Sequence, residues 1–307
     1  MEITIVLVFL TCDNYPMHLS QNDHKYKLAL ARHFSRAAHT YNQAAIIHQE
    51  VGMRLLDRLD LIKLDPDVIL DLGSGTGFFA SHLTQKYPKA HIIKLDIAEN
   101  MLRFSNKKYF AKHTSVCGDG DYLPLKNHSI DFVFSNCVLH WFVNPQKVLA
   151  EIRRVLKPEG LLLFSTFGPD TLKELRESFS TIDQHTHVNT FLDMHHIGDM
   201  LIQTQLLDPV MDMEMITLTY QNLMHLIQDL KDTGENYVNR EKSIGLSPKG
   251  TVDKLSNAYE HYRTTDGLLP ATFEVIYGHA WCSGNTTLHQ ADEEGVIHFP
   301  ISDLQML

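Results

Sequence analysis

Residues 68–79 read VILDLGSGTGFF. Val68, Ile69, Leu70 and Leu72 make a short apolar run that suits a strand buried on both faces of a parallel sheet. Gly73, Gly75 and Gly77 follow in alternation, as a turn requires when its backbone takes left-handed angles or approaches a ligand closely. Phe78 and Phe79 then open a helical pattern. A strand, a glycine turn and a helix in that order point to a nucleotide-like cofactor.

Gly75, Gly77 and Ala80 also satisfy the loose dinucleotide pattern G-x-G-x-x-G/A, a weak signal when read alone. Three further features favour another cofactor over a dinucleotide. Asp71 precedes the first glycine by two residues, Asp96 ends the next expected strand, and GDGDYLPL (118–125) follows the third. Together they resemble the class I methyltransferase pattern. That resemblance implies an α/β fold with a doubly wound, mostly parallel, seven-stranded Rossmann-like sheet, and S-adenosylmethionine as cofactor. It also implies roles: the turn of Asp71, Gly73, Ser74, Gly75 and Gly77 against the methionine part, and Asp96 at the ribose hydroxyls, with Ile97 also in the cofactor set. Gly118 and Asp119 then meet the adenine, Met101 covers its ring, and Asn136 completes the cofactor set. Asp96 and Asp119 can also be read as helix caps or turn formers, and Met101 as core.

The chain of 307 residues is 44% hydrophobic and 21% charged, as in an ordinary globular protein. A formal net charge of -10 argues against nucleic acid as partner, because phosphate recognition leans on excess Lys and Arg. Four cysteines, Cys12, Cys117, Cys137 and Cys282, show no C-x-x-C spacing, which fits a reduced cytoplasmic setting. The apolar run Ile3 to Leu10 follows an acidic Glu2 and lacks a cleavage site. It reads as neither a secretory signal nor a membrane span, and Met17 is a candidate initiator.

From Tyr26 to Leu61 apolar residues recur at three- and four-residue steps, which predicts helix. Asp65-Pro66-Asp67 breaks the pattern, and strands and helices then alternate from Val68 to Thr166, implying a parallel doubly wound sheet. Beyond Phe167 helices are expected at 171–181, 194–204, 222–231 and 252–262. Strands are expected at 211–220 and 272–281. The domain reading is a tail (1–24), a methyltransferase domain (25–282) and a C-terminal tail (283–307). The domain carries a helical N-terminal lid (25–62) and an inserted helical lid (222–263).

After the fourth expected strand stands Ser135-Asn136-Cys137-Val138-Leu139-His140-Trp141, without the Asn/Asp-Pro-Pro-aromatic sequence usual for exocyclic amine acceptors and without a Pro-Cys nucleophile. An oxygen acceptor leads and a carbon acceptor is second. The segments HFSRAAHTYNQAAIIHQEVGMRLLDRL, IDFVFSNCVLHW, NTFLDMHHIGDML and LPATFEVIYGHAWC together resemble the malonyl-acyl-carrier-protein O-methyltransferase family of biotin synthesis, across roughly residues 30 to 282. The resemblance implies methylation of the free carboxylate of a malonyl thioester, with acyl carrier protein as partner.

A carboxylate is ionised at neutral pH and needs no general base. Arg36 and Tyr41 are candidates for a cationic fork and a phenolic donor to it. Each has a plainer reading, a solvated face for Arg36 and a packed aromatic for Tyr41. Trp141 is a candidate wall of the acceptor channel or a core residue, and His140 a candidate base should the acceptor be a hydroxyl. His185, His187, His195 and His196 lack the support of a metal site, and no metal is expected. Lys107, Lys108 and Lys112, or Arg153, Arg154 and Lys157, are candidates to meet an acidic carrier, or simply complement helix C-termini. A quinone or other small-molecule methyltransferase, and a non-methylating protein like the complex I assembly factors, share the cofactor features and stay open.

Overall fold

The computed structural model describes residues 5–7, 20–108, 113–235 and 250–283. The centre of the sheet is β2 (Val68–Leu72), flanked in parallel by β3 (His91–Asp96) and β5 (Ile130–Ser135). Beyond β3 lies β4 (His113–Cys117), and beyond β5 lies β6 (Leu156–Phe167). The last two strands, β7 (Leu206–Tyr220) and β8 (Leu269–Cys282), close that side, with β8 inserted antiparallel between β6 and β7. These are the seven expected strands. An eighth, β1 (Ile5–Leu7), extends the opposite edge by pairing in parallel with Ser115–Cys117. The candidate start at Met17 and the tail beyond residue 283 lie outside the described residues.

Alternate residues of each strand feed two cores. Ile69, Phe132, Phe134, Leu161 and Leu163 face one layer, with α3 (Ile46–Arg58) and α4 (Phe78–Lys86) against them. Leu70, Leu72, Val133 and Leu162 face the other, against α6 (Pro145–Val155). Helix α6 starts where the Asn144 side chain accepts from the Lys147 amide and Pro145 takes the first helical position. It buries Val148, Leu149, Ile152 and Val155, each contributing about 1.5–3 kcal/mol of transfer free energy. The chain runs from β2 to β3 on one side and later to β5 on the other. The strand order therefore reverses beside β2, and the crevice at the carboxyl ends of β2 and β5 is where such sheets take ligands.

The single helical stretch expected over 26–61 is interrupted. Helix α1 (Gln21–Ala37) stops, α2 (Tyr41–Ala44) is one turn, and α3 follows after Ala45 leaves helical angles. The Thr40 hydroxyl donates to the Ala37 and Asp232 carbonyls, a local alternative to continuing the helix. Strands β6 and β7 begin earlier than expected, because each passes an irregularity at a proline (Pro158, Pro209) and resumes pairing. A proline cannot donate to the ladder, so the pattern reads as a break where the strand only shifts register. Helix α5 (Glu99–Lys108) lies between β3 and β4. Helices α7 (Lys173–Ser180) and α8 (Met194–Gln203) lie between β6 and β7, and α9 (Leu223–Asp232) and α10 (Thr251–Tyr259) between β7 and β8. Among the described residues no helix is long and apolar enough to cross a membrane.

Candidate functional site

The glycine turn follows β2 directly. The amides of Gly73 and Ser74 donate to the Leu95 carbonyl at 2.8 and 3.1 Å, and the Gly77 amide to the Ser74 carbonyl at 2.8 Å. All three glycines have positive φ, but their surroundings differ. A Cβ on Gly73 would fall 2.3 Å from Val138 Cγ2, and one on Gly77 would fall 2.1 Å from Ser105 Oγ. A Cβ on Gly75 would meet nothing within 4 Å. Gly73 and Gly77 thus let neighbouring segments close on the turn, while Gly75 opens onto a cleft.

That cleft holds roughly 780 Å³ of empty space, part of it open to solvent, within the usual range for a cofactor site. Asp96 stands at its wall at the end of β3, accepting from the amides of Gly75 at 2.8 Å and Ala98 at 2.7 Å. Burial pushes its carboxyl up to about 6, against the pull of those two amides. Asp119 caps the short turn after β4, accepting from the Asp121 amide at 3.0 Å, and lines the cleft with Gly118. Ile97, Met101, Asn136 and Trp141 line it as well. Met101 is 1% exposed and packs with Ala38, Ala98 and Tyr41, so it is core and wall at once.

Three of the expected cofactor residues do not line that cleft. Asp71 is buried beneath the turn, opposite Lys94 in the strand register, and does not line the cleft. Burial raises its carboxyl to about 7 although Lys94 opposes the shift. Lys94, itself fully buried, donates to Ser105 Oγ at 2.7 Å and is lowered to about 8 by burial. Neither Ser74 nor Gly77 lines the cleft, although the Ser74 hydroxyl is buried without a hydrogen-bond partner among the described residues.

The roof comes from the two helical segments. From α1, Lys27, Leu30 and Phe34 line the cleft, Phe34 packing edge-on to Trp141 with centroids 5.4 Å apart. Lys27 is buried and bonds both Asp119, at 2.5 Å, and Asp121. Tyr41 lines the cleft from α2. Its phenol is raised well above 10, first by burial and then by Glu235, so it stays protonated. Arg36, expected as a cationic fork, is exposed and does not line this cleft. Gly234 bends the chain after α9 with φ of 77°, and a Cβ there would sit 3.2 Å from Phe34 Cα. That close approach docks the second segment on the first and delivers Glu235 to the cleft.

A second cavity, roughly 820 Å³ with open solvent included, adjoins the first and shares Trp141 and Glu235 with it. Its lining is largely apolar, including Phe167, Leu175, Phe179, Phe191 and Phe273. His140 lies here, ringed by Trp141, Phe167 and Phe191, with Nδ1 3.2 Å from Thr166 Oγ1. Burial lowers it to about 4, so it is neutral at pH 7. Cys137 is a free buried thiol whose value burial pushes far up, so it is no thiolate nucleophile. His187 stacks on Phe179 and bonds Asp183, while the amides of His195 and His196 are capped by Asp193.

Of the two basic clusters, the side chains of Lys107, Lys108 and Lys112 lie outside what the structure describes. Arg154 is engaged internally, with Glu151, Asn127 and the carbonyls of Leu123 and Leu125, and Lys157 pairs with Asp131. Lys27, His48 and Glu235 are among the wall residues that sequence reasoning missed. Each sits in or beside a lid helix whose pattern signals only an amphipathic face.

A family model described as "Methyltransferase domain" matches residues 70–164. The malonyl-[acyl-carrier protein] O-methyltransferase of Gallionella capsiferriformans is 47% identical, covering 83% of this chain and 90% of its own. The protein of the same name from Legionella pneumophila is 39% identical, over 86% and 94%. Among solved structures, the methyltransferase in complex with the Haloferax volcanii Trm112 methyltransferase activator superposes with a TM-score of 0.54 at 18% identity, covering 83% of this chain and 98% of its own. Phosphoethanolamine N-methyltransferase 2 of Haemonchus contortus, solved with S-adenosyl-L-methionine, gives 0.53 at 17% identity, over 88% and 61%. The structures share the fold; the sequences, alike along most of their length, place the chain in the malonyl-[acyl-carrier protein] O-methyltransferase family.

Proposed function

We propose that the protein transfers the methyl group of S-adenosylmethionine to the free carboxylate of a malonyl thioester carried on acyl carrier protein, in the cytoplasm, at the pimeloyl stage of biotin synthesis. The observation that carries this reading is the meeting of two cavities at Trp141 and Glu235, one built for a nucleoside cofactor and the other apolar.

The residues present fit the cofactor. Gly75 leaves the turn open toward the cleft, Asp96 offers a carboxylate at a strand end for ribose hydroxyls, and Asp119 offers one for an adenine amine. The cofactor supplies an activated methyl on a sulfonium. A carboxylate acceptor is already ionised, so the chain has no proton to remove from it.

What the chain must provide is alignment and dryness, terms that together lower such a barrier by roughly 7–11 kcal/mol. Helix α1 and the segment ending at Glu235 roof the cleft and exclude water. Trp141 forms the shared wall, and the protonated Tyr41 phenol is a donor for an acceptor oxygen. His140, neutral and hydrogen-bonded to Thr166, shapes the acceptor cavity and has no proton to remove from a carboxylate.

The test is methyl transfer from labelled S-adenosylmethionine to malonyl-acyl carrier protein, with acetyl-acyl carrier protein as control. Label on the malonyl carrier alone is the expected outcome. Cofactor binding without transfer to malonyl would overturn the acceptor assignment.

A further inference from the structure

His48 and Glu235 form a buried pair that the mechanism above leaves unused. His48 Nε2 lies 2.8 Å from Glu235 Oε1, and their side chains are 5% and 9% exposed. Both line the cofactor cleft, and Glu235 also lines the apolar cavity. The other nitrogen of the same ring, Nδ1, is buried with no hydrogen-bond partner among the described residues. The pair is held from several sides. The Asn136 side-chain amide donates to the His48 carbonyl at 2.9 Å and accepts from the Ser165 hydroxyl at 2.8 Å. The Glu235 amide donates to the Leu230 carbonyl at 2.9 Å, so the turn through Gly234 holds its backbone.

Besides the neutral Tyr41 phenol, an anionic acceptor calls for a charged donor at the junction, and few are available. Arg36 is exposed, and Lys27 is engaged by two acids on the cofactor side. His140 already faces Thr166. With Glu235 ionised, Nε2 must be the donor in its contact with that carboxylate, and protonation of the ring makes Nδ1 a second donor.

We propose, resting on the function above, that His48 with Glu235 behind it is the receptor for the acceptor's free carboxylate, Nδ1–H donating to it beside the methyl group. The charges then alternate from sulfonium to acceptor carboxylate to His48 to Glu235. Glu235 orients the ring and balances its charge, which makes it a positioning residue, while His48 touches substrate. After transfer the acceptor is a neutral ester, the charge-assisted bond is gone, and the product is released.

The experiment compares the full-length protein with Glu235→Gln and His48→Gln. With S-adenosylhomocysteine bound, dissociation constants are measured by calorimetry for malonyl-pantetheine and for its methyl ester. The wild-type protein is expected to prefer the carboxylate. Both variants, each saturated with S-adenosylhomocysteine, are expected to lose about tenfold or more of that preference, the range of one charge-assisted hydrogen bond, with KM for malonyl-acyl carrier protein rising. A structural role would weaken both ligands alike, and that result, or a preference kept in both variants, overturns the inference. If wild-type transfers methyl to malonyl-acyl carrier protein while the variants keep their preference, this inference alone falls. If wild-type transfers none, the proposed function falls and the inference with it.

Discussion

The ammonium of Lys27 lies 2.5 Å from the Asp119 carboxylate, joining the first lid helix to the acid expected to face the adenine. Asp121 binds the same ammonium, and all three side chains are nearly inaccessible. Replacing Lys27 by Met leaves two buried carboxylates without their counter-charge. Loss of one partner from a buried pair typically costs about 3–5 kcal/mol, and a destabilisation of that size is expected in denaturant unfolding at pH 7. A change below 1 kcal/mol would mean that water replaces the ammonium. Because the bridge spans lid and adenine site, cofactor affinity is expected to fall in the same variant.

The glycine turn separates stability from binding. Gly73→Ala puts a Cβ into the Val138 side chain at positive φ, so it is expected to destabilise the apo protein by about 2 kcal/mol or more. Gly75→Ala meets no neighbour, so its cost is left-handed strain of roughly 1 kcal/mol, while its methyl enters the cofactor's space. Unfolding curves and S-adenosylmethionine titrations should therefore rank the two variants in opposite orders.

The order of elements could be read from the chain because each signal was local. The apolar run 68–72, the glycines after it and the alternation through Thr166 place β2, α4 and the strand ends, and Asp96 and Asp119 follow from position alone. What could not be read was long-range. Thr40 stops a helix partly by bonding Asp232, far along the chain, and the Lys27 and His48 partners are Asp119 and Glu235. The burial of Asp71, opposite Lys94 in the register, depends on strand pairing and leaves no periodic trace. Arg36 was a candidate by residue type, and its exposure in the last turn of α1 depends on which helix face packs, which residue type does not reveal.

His140 should mark the acid limb of stability without marking catalysis. Its folded value, near 4 because of burial, lies below that of an exposed histidine, so the unfolded chain takes up the proton first. Stability from this group is present above about pH 6.5 and is lost as pH falls toward 4, on the order of 3 kcal/mol in all. Asp71 and Asp96 act oppositely: their raised values remove stability as pH rises from about 4 to about 7 and 6. The difference between wild type and His140→Gln isolates the histidine, and the variant should show the weaker loss toward low pH. If methyl transfer to a carboxylate needs no base, its rate in His140→Gln should stay within about tenfold of wild type, with no new slope between about pH 6 and 9. A loss of several orders of magnitude would instead point to a hydroxyl or carbon acceptor.

Tyr41 admits a sharper division between packing and chemistry. The residue opens α2, its ring lies 5.8 Å from that of His48, and burial holds its phenol protonated. As a donor to the acceptor carboxylate it would lose only that bond in Tyr41→Phe, lowering kcat by about ten- to a hundredfold. Melting temperature and cofactor affinity should stay in place, because the ring still packs with Ala38 and Met101. As a packed aromatic alone it would tolerate the change to Phe at full turnover. Single-turnover transfer to malonyl-acyl carrier protein by wild type and Tyr41→Phe distinguishes the two, and Arg36→Ala, altering only an exposed side chain, is expected to match wild type.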